Sequence, residues 1–265
     1  MQGLRNIKTL TLRELYSYFC SPIAYVFLIL FLLLLGFFCW ADRLGSFYTR
    51  GHAELSTSFF LWHPWLFMIL VPAVGMRFWS EELNSGTLEL LCTLPINLWQ
   101  AVFAKYLAGI IFLAIAIGSC FPMVITVNYL GNPDNGKILC GFLSSFLTAA
   151  AFLSLSSATS ALTRNQVISF IVSMVMCLLL ILSGFQPVLS AIKDIVERVE
   201  LISIVQNGPQ FMRDLNWVVD LINELSLYSH FQSMQKGIID SRDIIYYLSV
   251  ILFGNISTLI ILKNR

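Results

Sequence analysis

The sequence predicts an all-α integral membrane protein in which residues 1–265 form one domain that crosses the bilayer six times. Of the 265 residues, 57% are hydrophobic and only 12% are charged, and the mean hydropathy is +0.78. This composition lies outside the range of soluble domains. The apolar residues are concentrated in runs of bilayer length. The 16 Lys and Arg residues nearly balance the 15 Asp and Glu residues, which argues against nucleic acid as a partner.

Six apolar runs are long enough to cross a membrane, because a spanning helix needs about 20 mostly apolar residues. Each run is predicted to be helical, since backbone amides in lipid must be paired within their own segment. The only ionisable residue in them is His63, which we interpret as a structural histidine in an interfacial belt. The first run could instead be the core of a signal peptide, but no cleavage site follows it and we expect a retained anchor. The predicted spans are 22–40, 59–76, 106–130, 138–162, 167–189 and 244–262.

Residues 1–21 are predicted to form an amphipathic helix that lies in the headgroup region before the first span. A solvated tail is the alternative. The basic residues before the first span favour a cytoplasmic N-terminus under the positive-inside rule, and six crossings then place both termini in the cytoplasm. The apolar face of this helix consists of Leu4, Ile7, Thr11, Leu15 and Tyr18.

The fourth span is rich in glycine, alanine, serine and threonine at spacings of four residues, including Gly141, Ser145 and Ala149. Such spacing lets helix backbones approach closely in lipid. We interpret it as packing within the chain, with a subunit interface or a polar path as the alternatives.

Residues 190–243 predict two amphipathic helices on the outer surface, separated by a turn at residues 207–209. The first has Ile192, Ile195 and Val196 on its apolar face, and Trp217 opens the apolar face of the second. Before them, Gln186 and Pro187 are expected to mark a break or re-entrant turn at the outer end of the fifth span. We expect these helices to gate an exit, with Gln186, Pro187, Ile195 and Trp217 as the outer gate.

No catalytic or cofactor motif is recognisable. Residues 131–137 have the GxxxxGK spacing of a phosphate-binding loop, but Ile138 follows where Ser or Thr is needed and the loop joins two apolar runs. A turn explains this segment fully. The six cysteines lie far apart, and no histidine belongs to a zinc motif. The sequence therefore predicts no metal site and no cofactor in this chain.

The segment between the second and third spans, residues 77–105, is the most informative. An amphipathic helix there could be a docking element or an ordinary connector, and local physics does not separate these readings. The segment contains two adjacent acids, a short gap, Gly-Thr-Leu-Glu, a proline and a downstream lysine. These residues are Glu81, Glu82, Gly86, Thr87, Leu88, Glu89, Pro95 and Lys105.

This pattern resembles the permease subunits of ABC type-2 transporters, especially the short six-span permeases of gliding-motility and copper-maturation export systems. Residues 226–231 and 237–243 also resemble that family. The resemblance implies a permease with residues 77–105 as a cytoplasmic coupling loop. It also implies a separate ATP-binding-cassette ATPase subunit that binds ATP and Mg, and a second permease copy or a paralogue in a two-plus-two complex.

We therefore expect a subunit of an ATP-driven exporter, without a catalytic site of its own, in contact with the lipid of a bacterial inner membrane. Two other classes stay open at this point. One is a scaffold or channel subunit that works without an ATPase, and the other is an integral membrane enzyme. Co-purification with an ATPase subunit would separate the three.

Overall fold

The computed structural model describes residues 2–41, 55–56, 58–88, 97–205 and 216–264. These residues are predominantly helical, and no strand occurs among them. The helices are α1 (Gln2–Cys20), α2 (Pro22–Trp40), a short 3-10 turn (Phe60–Trp62), α3 (His63–Gly75), α4 (Arg77–Ser85), α5 (Leu98–Gly118), α6 (Phe121–Leu130), α7 (Asn135–Leu162), α8 (Gln166–Leu182), α9 (Gln186–Val205), α10 (Asn216–Glu224), α11 (Leu227–Gln235) and α12 (Ser241–Lys263).

Four helical stretches are long and apolar enough to cross a membrane: Phe60–Ser85, Leu98–Leu130, Asn135–Leu162 and Ser241–Lys263. Two further spans are reached if each of two bent helix pairs counts as one. These pairs are α1 with α2, bent by 69°, and α8 with α9, bent by 71°. The all-α membrane architecture is therefore confirmed.

Helical residues continue beyond the predicted ends of the second and third spans. The helical stretch that contains the second runs on to Ser85, past residue 76, and the stretch that contains the third begins at Leu98, ahead of residue 106. Hydropathy detects only the apolar part of a helix, whereas the helix itself extends into polar residues on either side. The membrane boundaries of the spans stay predictions.

Helix α7 lies at the centre of the fold and is buried along most of its length. Because many of its residues are small, the neighbouring helices α3 and α12 pack very close to its backbone. A Cβ added to Gly75 of α3 would lie 2.6 Å from the Cβ of Ser156, and one added to Gly254 of α12 would lie 2.7 Å from the carbonyl carbon of Ser154. The small residues of the fourth span thus serve packing within this chain, which was the favoured interpretation.

Hydroxyl groups hydrogen-bond between helices in the apolar core. The hydroxyls of Thr148 in α7 and Tyr247 in α12 lie 2.9 Å apart, and Tyr247 donates to the carbonyl of Leu227 at 3.2 Å. Such bonds satisfy polar groups that would otherwise be unpaired in an apolar environment. They connect α7, α12 and the start of α11.

His63 lies inside an aromatic cluster rather than on an exposed belt. Its side chain is fully buried, and its Nδ1 is 3.2 Å from the carbonyl oxygen of Phe59. The rings of Phe31, Phe60 and Phe67 lie within 5.8 Å of the imidazole, measured between centroids. These contacts fit the interpretation as a structural histidine, and its depth in the membrane stays a prediction.

The predicted N-terminal helix is present as α1, and its apolar face packs on protein. Thr11 is buried and donates to the carbonyl oxygen of Ala104 in α5 at 3.3 Å. The rings of Tyr18 and Phe19 both contact Phe112 of α5, at centroid distances of 5.9 and 6.0 Å. α1 is therefore attached to the bundle along α5.

Candidate functional site

The two adjacent acids of the predicted coupling loop lie on α4, which follows the second span after a single residue, Met76. The sequence predicts an amphipathic helix within residues 77–105, and the structure places both acids on a helix that begins at Arg77 and ends at Ser85. A displacement of α4 therefore acts directly on the second span.

α4 ends at Gly86, which has φ +73° and closes the helix in the left-handed conformation. Glycine adopts this conformation without the steric cost that a side chain would bring. Thr87 follows, with its hydroxyl 3.0 Å from that of Ser85, and Leu88 packs against the core. The remaining predicted residues, Glu89 and Pro95, lie outside the described residues.

The two acids have different environments. Glu81 is exposed, whereas an Oε1–Nζ distance of 2.8 Å joins Glu82 to the buried Lys105 of α5. Lys105 also lies 3.6 Å from a carboxylate oxygen of Glu14 in α1 and 5.2 Å from the ring centroid of Trp79. The lysine thus links α1, α4 and α5, and Glu81 is the acid that a partner can reach.

Sequence reasoning assigned Lys105 to the end of a loop and missed this network. A signal was present, because Lys105 continues the buried stripe formed by Ala101, Ala108 and Phe112 of α5. A lysine within a buried stripe requires a charge partner. The identity of the partners, Glu14 and Glu82, was not readable, since they come from other helices.

The junction of α3 and α4 is attached to α7 by serine hydroxyls. The hydroxyl of Ser160 accepts from the backbone N–H groups of Trp79 and Ser80, both at 3.0 Å, and donates to the carbonyl of Met76 at 2.8 Å. The indole of Trp79 donates to Ser157 at 3.3 Å. The first N–H groups of a helix have no intrahelical acceptor. Because the helix is broken at Met76, the hydroxyl of Ser160 provides the acceptor for the first N–H groups of α4.

A cavity of about 560 Å³ lies between α1, α2 and the α3–α5 region. Five charged side chains line it: Glu14, Arg77, Glu81, Glu82 and Lys105.

Tyr18 of α1 also lines this cavity. Burial, and secondarily the nearby carboxylate of Glu14, raise the pKa of Tyr18 well above its usual value. A tyrosine phenol is protonated at neutral pH and can donate a hydrogen bond.

The expected break near Gln186 is present, slightly earlier in the chain. α8 ends at Leu182 and α9 begins at Gln186, with Pro187 in its first turn, where a proline is well tolerated. Gly184 in the break faces α11, because an added Cβ would lie 2.0 Å from the hydroxyl oxygen of Ser226. Gln186 and Pro187 are both exposed.

Helices α9 and α10 pack against each other. Leu189 and Val196 of α9 and Val219 of α10 form a small buried cluster. Of the predicted gate residues, Ile195 is 61% exposed and Trp217 is 49% exposed. Ile195 and Val196 belong to the same predicted apolar face, and Val196 is the one that lies in this buried cluster. The structure places Gln186, Pro187 and Ile195 on α9 and Trp217 on α10.

His230 of α11 joins three outer segments, a role that sequence reasoning did not assign. Its Nδ1 donates to the carboxylate of Asp243 in α12 at 2.7 Å, and its Nε2 is 3.0 Å from the carbonyl oxygen of Glu224 at the end of α10. The ring stacks on Tyr246, whose hydroxyl donates to the carbonyl of Leu225. α10 is thereby attached to the start of α12.

The α3–α4 junction and the turn between α11 and α12 lie towards opposite ends of α7. Ser160, near its C-terminal end, contacts the α3–α4 junction, whereas Gly237, between α11 and α12, lies against Lys137 near its N-terminal end. Among the described residues, no group of three His, Cys, Asp or Glu side chains is arranged to hold a metal ion. The backbone amides of Gly136 and Lys137 donate to Asp134, which caps α7.

The fold defines a helical membrane protein that crosses the bilayer several times. Residues 57–261 match the profile of the family described as "ABC-2 family transporter protein", and the chain belongs to that family. It is thus a permease component of an ABC transporter. No curated protein sequence shows a significant match to the chain.

Proposed function

We propose that this chain is the membrane subunit of an ATP-driven exporter in a bacterial inner membrane. In this proposal two permease subunits, identical or paralogous, work with two ATPase subunits, and the ATPase subunits bind ATP and Mg. Family membership supports the pairing with an ATPase. Both termini are cytoplasmic in this arrangement, as the basic residues before the first span favour.

The ATPase docks, in this proposal, at the exposed end of α4 and the segment that follows it. The proposed contact residues are Glu81, Gly86, Thr87, Leu88, Glu89 and Pro95. The observation that carries the proposal is the linkage of α4 to α1 and α5 through Lys105. A helix that follows a span after a single residue and is fixed to two other helices moves together with them when a partner pushes it.

Glu82 has a different role from Glu81 within this site. Its carboxylate is engaged by Lys105, so it maintains the position of α4 instead of contacting the ATPase. Neutralising Glu81 should therefore weaken docking, whereas neutralising Glu82 should loosen the permease itself.

The test is co-purification with the ATPase encoded beside this chain, together with ATPase stimulation. Glu81→Gln combined with Glu89→Gln should weaken the complex about two- to fivefold for each exposed charge pair lost. Charge pairs at an interface rim chiefly affect the association rate and its salt dependence. Unchanged binding and stimulation would exclude this docking site.

Glu224→Gln is the matched control, because this glutamate is exposed on α10, at the end that His230 attaches to the start of α12. It should bind the ATPase as the unmodified protein does. Equal weakening by the control would indicate a general charge effect and would count against the proposal.

We further propose that α9 and α10 gate the exit and turn about the break at residues 183–185, with Gln186, Pro187, Ile195 and Trp217 on the moving part. The packing between α9 and α10 supports a joint movement. Elements that release a substrate do so by moving.

A crosslink across the break tests this. The rings of Trp65 in α3 and Phe185 in the break lie 5.4 Å apart between centroids. Cysteines at both positions, joined by a short bifunctional thiol reagent, should stop transport while the ATPase still binds. A pair at Ile192 and Ile222, which joins the two outer helices only to each other, is the control and should leave transport intact. Transport that survives an efficient crosslink at the break would make these helices passive covers.

A further inference from the structure

The cavity between α1, α2 and the α3–α5 region is lined by both apolar and charged side chains. The apolar ones include Ala24, Val74 and Phe112, which belong to the spans. The charged ones include Arg77 and Glu81 of α4. The cavity lies where the amphipathic α1 turns into the apolar α2, a position that we expect at the boundary between headgroups and hydrocarbon. Its volume of about 560 Å³ is in the range of small-ligand sites.

The charges in the lining do not all satisfy one another. Lys105 is paired with Glu82 and Glu14. Arg77 and Glu81 are four residues apart on α4, yet within the part of the chain that the structure describes neither takes part in an ion pair. The Nε of Arg77 is also closed off from solvent without a hydrogen-bond partner there. One cation and one anion are therefore left over in the same cavity.

An occupant that matches this lining must carry a negative and a positive group a short distance apart and an apolar part beside them. A zwitterionic phospholipid has this chemistry, because guanidinium groups bind phosphate and carboxylates bind ammonium. The carboxylate of Glu81 accepts hydrogen bonds, so it favours an ammonium with N–H donors over a quaternary one. The phenol of Tyr18 offers a further donor to phosphate.

We propose that this cavity binds the headgroup of an aminophospholipid, with its phosphate at Arg77 and its ammonium at Glu81. The glycerol and the upper acyl chain lie along Ala24, Val74 and Phe112. A carboxylate has two oxygens, so Glu81 can bind the lipid and still face a partner subunit. The bound lipid connects α1 and α2 with α4, and this proposal does not depend on the function proposed above.

The experiment uses the full permease chain without any ATPase. The chain is delipidated, reconstituted with equimolar phosphatidylethanolamine, phosphatidylcholine and phosphatidylglycerol, extracted in mild detergent, and the retained lipid is quantified by native mass spectrometry. The unmodified protein should retain phosphatidylethanolamine about tenfold over the other two, the effect of one charged hydrogen bond. Equal retention of all three lipids would overturn the proposal.

The variants assign the two charges. Arg77→Gln should reduce phosphatidylethanolamine retention about tenfold, and Glu81→Gln should abolish the preference over phosphatidylcholine. Arg164→Gln, an exposed arginine between α7 and α8 that does not line the cavity, is the matched control and should behave like the unmodified protein. Retention that is unchanged in Arg77→Gln would overturn the proposal.

A second variant covers the case in which Arg77→Gln does not fold. Ser17 is an exposed residue of α1 that lines the cavity, and Ser17→Trp narrows it without a change of charge. It should lose phosphatidylethanolamine to the same extent. If a basic segment of the ATPase occupies the cavity instead, Ser17→Trp will weaken the ATPase complex and leave lipid retention unchanged, which would refute the lipid assignment.

Discussion

Replacing Lys105 by methionine should destabilise the contact between α1, α4 and α5. The side chain of Lys105 is 9% exposed, and its Nζ lies 2.8 Å from Glu82 and 3.6 Å from Glu14. Removing one partner of a fully buried ion pair costs about 3–5 kcal/mol, because the other charge stays buried and unpaired. Here the two acid side chains retain 17% and 16% exposure. Water relieves part of the cost, and we expect about 2 kcal/mol.

Thermal unfolding of the purified permease in detergent measures this loss, followed by tryptophan fluorescence. A loss of about 2 kcal/mol corresponds to a fall in Tm of about 4–8 °C for a chain of this size. Glu82→Gln and the double variant complete a cycle with Lys105→Met. The double variant should be more stable than the sum of the two single effects implies, by about 1–3 kcal/mol.

Glu14→Gln provides the matched comparison within the same network. Its coupling to Lys105 should be smaller than that of Glu82, since its carboxylate is 3.6 Å and not 2.8 Å from the ammonium. Strictly additive effects for Lys105 and Glu82 would show that the two side chains do not stabilise each other. In that case the hydrogen bonds to Ser157 and Ser160 would have to fix α4, and the proposed movement of α1, α4 and α5 as one body would be refuted.

Glycine packing and loop positions provide two further tests. Gly254→Ala should cost about 1–3 kcal/mol of unfolding free energy, because its Cβ would lie 2.7 Å from the backbone carbonyl carbon of Ser154. Gly36→Ala is the control: nothing lies within 4 Å of the added Cβ, so the unfolding free energy should change by no more than about 0.5 kcal/mol. Equal Tm values for the two variants would refute this packing. Single cysteines at the exposed positions Asn84 and Asn132, in a cysteine-free background, should differ in intact cells, with only Asn132 labelled by an impermeant thiol reagent. Labelling of Asn84 alone, or of both, would contradict the proposed orientation.

The spans were predictable because lipid imposes a length and a composition on each of them. The residues beyond their polar ends were not. Helix α5 begins at Leu98, and its first turns contain Gln100 and Lys105, both buried. Local hydropathy assigns such residues to a loop, because the side chains that pair with them when they are buried belong to other helices. The lysine network was therefore missed although each of its members was visible in the sequence.

The prolines in the apolar runs indicated interruptions of the helices, but the sequence did not show whether each would kink one helix or begin a new one. Pro187 was expected to mark a break in the fifth apolar run, and Pro122 lies within the third. Each lies in the first turn of a new helix, α6 and α9, where the missing N–H costs nothing. The breaks precede them, at residues 119–120 and 183–185. Whether a proline kinks one helix or opens the next depends on tertiary packing, as the close approach of Gly184 to Ser226 illustrates.

The position of α7 determines how the two sites can communicate. Near one end Ser157 and Ser160 hold the α3–α4 junction, and further along Thr148 holds Tyr247 of α12. Its contacts with α3 and α12 are so close that a Cβ does not fit at the glycines. Densely packed helices transmit a displacement as rigid bodies and do not absorb it by local deformation. A movement of α4 is therefore expected to displace α3, α7 and α12 together. Relative motion between helices is expected at the breaks at residues 119–120 and 183–185.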